Sequence, residues 1–487
     1  MARSFAALAF LVSHLGLSVA HAQTSPLPRP PTVDRLQNGL TIVTVPFDSP
    51  GIMAYFTLVR VGSRDEVEDG HSGFAHLFEH MMFRGTERMS GDEYEARVAS
   101  YGADNNAFTT DDYTMYTVVA PSAVLDGIVE LEADRFQHLQ FDEATYRTET
   151  RAVLGEYNKS ASHPFLRMHE TLVGTAFTTH TYSHTTLGYL RDIQRMPDEH
   201  AYSQSFFRRY YTPDNCTLFV VGDVDRARLL RLVRRHYGPW TGRRDTPTVP
   251  VEPEPTGTGQ RRDLVWSGTT PRRMMLGYRI PGFSVASADS AAIEVIHALV
   301  FGQSADLYQR LVVREQKVIE MSSWTNDFHR DPYLAVSELT LRDSTTFDEV
   351  IAAISAEMTR IGRGEIPAAR IDQVRSHLRY QLSMSLETPG DVAQLLGQLV
   401  AATGDIGSLD AYVRRLETLT PEDVARVART YLTDARRTVV TMTPGPADAT
   451  PEPAPATDAG LDAGAPDATI ADAGTRTRRA RRGGGAR

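Results

Sequence analysis

One segment, residues 241–260, restricts the folding of this 487-residue chain more than any other. It is crowded with Pro, Thr, Gly and charge, a composition that sustains neither a helix nor a strand, so it reads as an interdomain linker. It separates residues 34–240 from 261–443, two pieces of similar size that start on the same plan. In the first, Asn38-Gly39 supplies a turn before the alternating Thr41-Ile42-Val43-Thr44-Val45, a hairpin signal. A second strand over residues 53–61 then precedes a helical stretch. In the second piece, residues 273–278 read as a strand and 287–301 as an apolar helix. Amphipathic helices follow in both, over 123–139 and 346–361. The expected fold class is α+β: two related α/β domains joined by a linker and enclosing a cleft.

Composition narrows the function classes. A single Cys216 excludes a disulfide framework and any zinc site built from several thiolates. A formal charge of −10 excludes a general nucleic-acid binder, which would carry a basic face. Beyond the N-terminus no apolar run approaches the roughly 18–20 residues needed to span a bilayer. The N-terminus itself has the three parts of a signal peptide over residues 1–22: Arg3, an apolar stretch over 6–20, and Ala20-His21-Ala22 at the cleavage site. The mature chain is therefore expected to be exported, into the periplasm if the source is Gram-negative and otherwise outside the cell. Residues 444–487 form a Pro/Ala/Asp-rich tail with an Arg-rich end, a composition that reads as disordered. Its six acids balance six arginines, so removing it and Arg3 leaves −11 on residues 23–443.

The chemistry is concentrated between Ser72 and Gly85, which read as a helix with Ser72 as its N-cap. His76 and His80 are four apart and stack on one face, at a separation that lets two imidazoles reach one metal ion. Glu79 flanks the same face, where a carboxylate can take a proton from a metal-bound water. The order His-x-x-Glu-His is one of the known zinc-peptidase motifs. A third ligand must come from elsewhere. Residues 146–158 read as a helix that places Glu149 and Glu156 seven apart on one face. By chemistry alone either carboxylate can complete a two-His, one-carboxylate site, leaving the other to orient a His or the base.

The sequence resembles the pitrilysin family of zinc peptidases, and within it the mitochondrial-processing-peptidase-like members. The likeness rests on Gly62-Ser63-Arg64-Asp65-Glu66 and on Gly73-Phe74-Ala75-His76-Leu77-Phe78-Glu79-His80-Met81-Met82-Phe83-Arg84-Gly85-Thr86. Tyr211-Thr212-Pro213-Asp214-Asn215, Gly222-Asp223-Val224-Asp225 and residues 302–315 add to it, and the whole covers about residues 34–440. The resemblance implies Zn2+ as cofactor, a first-half zinc domain and a related second half without metal. It implies Glu156 as third ligand, with 75 residues between it and His80, and Glu149 as the supporting glutamate. It also makes Asn106, Ala107, Phe108 and Thr109 an edge strand that pairs with the substrate backbone.

One departure stands out. Many relatives carry in the second half an Arg and, seven residues on, a Tyr that steady the substrate carbonyl. The matching positions here are Val312 and Ile319, whose side chains donate no hydrogen bond to a developing oxyanion. Arg310 and Arg314 lie nearby but not at the family's position. The expectation is an exported zinc endopeptidase acting on peptides or unfolded protein segments. It would be the zinc-bearing subunit beside a second peptidase-fold subunit that supplies the Arg/Tyr pair, with no nucleic-acid partner and no transmembrane segment. The alternative is a non-catalytic partner subunit that keeps the fold, like the core proteins of respiratory complexes. His180 and His184, also four apart, lack an apolar stripe and are read as loop residues, not a second metal site. His71 is likewise read as a loop residue, and Cys216 as a buried apolar one.

Overall fold

The two pieces fold into sheets of one topology. The structure is a computed structural model that describes residues 25–325 and 328–446. The signal pattern over 1–22 and the tail from residue 447 onward lie outside the described residues. Strands β1 (Thr32–Arg35) and β2 (Thr41–Pro46) form the expected hairpin, with Arg35 opposite Thr41. Gly39 turns it at a φ of +100°, a conformation that only glycine adopts without strain. With β3 (Ile52–Val59), β4 (Asp104–Thr109), β5 (Thr114–Pro121) and β6 (Cys216–Gly222) they make a sheet ordered β1-β2-β6-β3-β5-β4. The second sheet comprises β7 (Gln260–Ser267), β8 (Arg272–Ile280), β9 (Val318–Trp324), β10 (Tyr333–Leu341) and β11 (Arg437–Gly445), ordered β7-β11-β8-β10-β9. Leaving out β1, both sheets run first, last, second, fourth, third. In each the first and last strands are the parallel pair.

Residues 241–259 hold neither helix nor strand, and β7 begins at the final linker position. At the other end β11 runs two residues into the expected tail. Pro444 and Gly445 are drawn into the sheet by pairing with Trp266 and Ser267.

The helices that frame the site follow β3 and β5: α1 (Phe74–Met81), α2 (Gly91–Ser100), α3 (Leu125–His138), α4 (Glu143–Ala161) and α5 (Pro164–Ala176). Phe74 and Phe78 of α1 and Val129 and Phe136 of α3 bury one face of the first sheet against Leu40 and Tyr55. The opposite face of that sheet is covered from the second half. Val392, Leu396 and Leu399 of the helix Pro389–Thr403 pack on Val43, Leu58 and Phe219. The loan is returned by α5, whose Met168 and Leu172 pack on Met275, Val336 and Val440 of the second sheet. Each half therefore completes the other's core.

A buried ionic cluster adds to this junction. Arg330, in the loop between β9 and β10, reaches Asp65 and Asp112 at 2.9 Å each. Arg64 donates to Asp331 at 2.6 Å, and His329 lies 3.0 Å from Asp111. Both acids that meet Arg330 are almost wholly buried, so neither could stand unpaired without a cost of several kcal/mol. Among the described residues, no helix is long and apolar enough to cross a membrane.

Candidate metal centre

Helix α1 is held by its apolar side, with Phe74, Ala75, Leu77, Phe78 and Met81 inaccessible to solvent. The remaining face carries His76, Glu79 and His80. Its start differs from the sequence reading. The N-cap is Gly73, not Ser72, at a φ of +89° where an added Cβ would lie 2.7 Å from the carbonyl oxygen of Leu187. Ser72 instead turns its hydroxyl to Asp192 at 2.6 Å. The buried N–H groups at the start of the helix, which lack intrahelical partners, are satisfied by Glu66, whose carboxylate accepts from Gly73 at 2.8 Å and Ala75 at 2.7 Å. That contact gives Glu66 of the Gly62–Glu66 motif a role that spacing did not reveal.

Helix α4 begins at Glu143, three residues earlier than expected, because Asp142 caps it through the amide of Thr145 at 2.7 Å. Tyr146, Glu149, Val153 and Tyr157 point inward at helical spacing. Glu149 and Glu156 thereby face α1. The structure brings His76, His80 and Glu156 together, with one donor atom of each within 4.8 Å of the others. Oε2 of Glu156 lies 3.6 Å from His76 Nε2 and 3.5 Å from His80 Nε2. Ligand atoms bonded at 2.0–2.1 Å around a tetrahedral zinc sit about 3.3–3.4 Å apart, so this donor set fits the ion in both chemistry and spacing. Glu149 is in the position of a support: Oε2 is 3.7 Å from His80 Nδ1 and Oε1 is 2.8 Å from Arg84 Nε.

The metal-free electrostatics reflect the same geometry. Burial, joined by the charge of His80, pushes His76 down to about 4. Burial also disfavours the charged form of His80, but the carboxylates of Glu149 and Glu156 outweigh it and hold His80 up at about 9. The hydrogen bond from His80 is the main reason that Glu156 is lowered. Glu79 is raised by burial, against a hydrogen bond from Thr109.

Strand β4 is the open edge of the first sheet, and Asn106 to Thr109 lie on it. Ala107 belongs to the core beneath α1, and Phe108 packs on the sheet's other face. Thr109 does something the sequence did not signal: its hydroxyl donates to Glu79 Oε2 at 2.7 Å. The cavity beside Glu79 and His80 is lined by first-half residues alone. Val312 lies in the segment Gln309–Arg314, packed against the second core, and Ile319 on β9 is half-exposed.

The other histidines lie elsewhere. His180 uses both ring nitrogens, one 3.0 Å from Asp331 and the other accepting from the amide of Tyr182 at 3.0 Å. His184 is buried with Nδ1 on the carbonyl of Thr185, and His71 stacks on Tyr202. Cys216 is buried and free.

Two family models match in tandem. Residues 54–189 match insulinase (peptidase family M16), and residues 201–378 match the peptidase M16 inactive domain. The chain belongs to peptidase family M16. Among its M16 relatives, a zinc protease, PqqE, of Helicobacter pylori is 29% identical over 443 residues, covering 89% of this chain and 97% of the relative. The beta subunit of the mitochondrial-processing peptidase of Lentinula edodes is 24% identical, over 82% of this chain and 87% of its own length. The crystal structure of a protease from Helicobacter pylori superposes with a TM-score of 0.80 at 26% identity, covering 85% of this chain and all of that one. The relatives named zinc proteases support a metallopeptidase at the level of the family. The His-x-x-Glu-His motif falls inside the first match, and the second half carries the match described as inactive.

Proposed function

We propose that this chain is an exported zinc endopeptidase, the zinc-bearing subunit of a two-subunit enzyme. The observation that carries the peptidase reading is the convergence of His76, His80 and Glu156 beside Glu79 and the open edge of β4. His76, His80 and Glu156 would hold zinc, which supplies a water acidified to near-neutral pKa and a Lewis acid for the scissile carbonyl. Glu79 accepts a proton at a carboxylate oxygen and returns it to the leaving amine. Thr109 fixes the other end of that carboxylate, and Glu149 with Arg84 fixes His80. Strand β4 offers unpaired backbone groups to an extended peptide, which favours unfolded segments over folded surfaces.

The two-subunit reading is supported by Val312 and Ile319, which cannot donate to an oxyanion. Export is supported by the signal pattern of residues 1–22. The test is hydrolysis of a quenched-fluorescent peptide mixture by the mature chain, with zinc determined on the same sample. Glu79→Gln should retain zinc and lose about 10²–10⁴-fold in rate, the contribution of a general base. One zinc per chain without cleavage supports the need for a partner. Cleavage by the lone chain that survives Glu79→Gln overturns the mechanism, and cleavage lost in that variant removes the partner.

A further inference from the structure

We propose that Arg330, with His329 beside it, is a positioning residue for Glu79: a loop of the second half grips the turn that follows β4 and, through Thr109, sets that carboxylate. The inference rests on the peptidase reading above and gives a task to the half without His76, His80 or Glu156. Thr109 is the last residue of β4, paired with Thr114 on one side and facing the open edge of the sheet on the other. The end of an edge strand frays unless the chain beyond it is tied down. Here that chain is a tight turn, closed by the amide of Thr110 on the carbonyl of Tyr113 at 2.8 Å.

The two halves hold this turn in different ways. The first half holds its backbone: the amide of Arg64 donates to the carbonyl of Asp111 at 2.8 Å, and that of Ser63 to Thr110 at 3.4 Å. It also gives the carboxylates neutral donors, the Ser63 hydroxyl to Asp111 and the Tyr182 hydroxyl to Asp112, each at 2.9 Å. Its own cation, Arg64, stays 3.7 Å from Asp112 and makes its closer contact with Asp331, at 2.6 Å. The near positive charge comes from the second half. Arg330 donates to the Asp112 carboxylate from its backbone amide at 3.0 Å and from Nε at 2.9 Å. Its Nη2 reaches the backbone carbonyl of Asp112 at 2.7 Å and Asp65 at 2.9 Å. The rigid fork of one arginine thus fixes both the side chain and the peptide plane of a residue close after Thr109. His329 Nε2 lies 3.0 Å from Asp111 Oδ2. Burial works to raise Asp111, but the hydrogen bond and charge of His329 outweigh it and hold the acid low.

The gripping loop is itself constrained. Phe328 sits at a φ of +52°, rare for a bulky side chain, and stacks edge-on against Phe283. The amide of Phe283 donates to the carbonyl of His329 at 2.8 Å. Such strain persists only where the surroundings over-determine it, and it collects where a loop has a task. The hydroxyl of Thr109 reaches Glu79 at 2.7 Å, so a shift of about 1 Å in the turn breaks that bond. Misplacement on that scale can cost a reaction up to about 100-fold.

The experiment uses the zinc-loaded chain well below its unfolding midpoint. Arg330→Lys keeps the positive charge beside Asp65 and Asp112 but loses the fork. Its kcat should fall about fivefold, less than the roughly tenfold expected for Thr109→Val, with KM and zinc content unchanged. In a Thr109→Val background the same substitution should cost less than about twofold, because the route through the hydroxyl is already gone. His329→Leu should lower kcat about twofold, and His329→Gln, whose amide can donate to Asp111, should restore it. Threonine-methyl NMR gives a readout apart from activity. The Thr109 signal, assigned by its loss in Thr109→Val, should move in Glu79→Gln and again in Arg330→Lys, while that of Thr441 on the second sheet stays in place. Any of three results overturns the inference: a lowered midpoint with kcat unchanged, equal losses with and without the Thr109 hydroxyl, or a Thr109 signal that Arg330→Lys does not move. A zinc-loaded wild type that cleaves nothing counts against a peptidase complete in one chain, and the methyl signal then decides this inference alone.

Discussion

Helix α1 and the helix Asp289–Phe301 occupy the same place in their halves: leaving out β1, each follows the second strand of its sheet and packs on that sheet. They differ in what their remaining faces do. Helix α1 turns His76 and His80 toward α4, which answers with Glu149 and Glu156, and Glu79 toward Thr109 of β4. The helix Asp289–Phe301 is apolar nearly throughout, and its single His297 is 3% exposed with neither ring nitrogen hydrogen-bonded. Within one topology, chemistry depends on a face left open and on an acidic neighbour to meet it. A histidine in an equivalent helix without those two conditions is only a costly piece of core. Function here sits on the scaffold and does not come from it.

The comparison would break if the halves were independent bodies, since the second could then be lost without touching the first. Leu396, from the second half, packs on the first sheet, and Leu172, from the first half, packs on the second. Leu396→Ala and Leu172→Ala should each destabilise the chain by about 2–5 kcal/mol, the cost of emptying a buried leucine site. Both should lower the midpoint of one shared unfolding transition, followed by tryptophan fluorescence and far-UV circular dichroism. Two separated transitions, with each variant moving only one of them, would show that the exchanged helices do not join the halves.

How much of this was legible in the sequence follows from the range of each interaction. The hairpin at Asn38-Gly39, the amphipathic helices and the His-x-x-Glu-His face are local patterns, readable from periods of two and 3.6 residues. Glu149 and Glu156 shared a face on spacing alone, but only family resemblance separated their roles. Contacts that join distant segments left no such trace. Glu66 capping α1 spans seven to nine residues across a loop, and Thr109 reaches Glu79 across thirty. A Ser before an apolar run has the composition of a cap, but the left-handed turn at Gly73 moves the Ser72 hydroxyl to Asp192. The exchange of helices between halves was invisible, because an amphipathic pattern says that a face is buried and not against what.

His297 sharpens the comparison through pH. Burial pushes its pKa down from 6.5 to about 3. Between those values the unfolded chain binds a proton that the folded chain refuses. The stability that goes with the neutral ring is therefore complete above pH 6.5 and is lost as pH falls toward 3, at up to about 1.4 kcal/mol per pH unit. His297→Leu removes that dependence and leaves no buried ring nitrogen without a partner. Urea midpoints measured at pH 7.5 and pH 5 should differ less for the variant than for the wild type, with the variant the more stable at pH 5. An unchanged difference would mean that His297 finds a proton acceptor or water in the folded chain, and that its helix is less unlike α1 than the structure makes it.

The smallest effect belongs to the residue that joins strand β4 to the His76-Glu79-His80 face of α1. Thr109 donates its hydroxyl to Glu79 from the sheet edge, so the proposed substrate strand also orients the proposed base. Among the described residues no comparable link is seen on β9, the corresponding edge of the second sheet, where Ile319 is half-exposed and apolar. Thr109→Val keeps the shape of the side chain and removes the donor. A hydrogen bond to a charged group is worth about 1.5–3 kcal/mol, and the backbone of Thr109 remains in place to hold part of it. The expected outcome is about a tenfold fall in kcat with KM and zinc content little changed, and Thr109→Ser should restore most of the rate. If Thr109→Val instead raises KM and leaves kcat alone, the hydroxyl serves the bound peptide. The edge strand would then contribute binding without positioning the base, and the two sheet edges would differ only in what lies beside them.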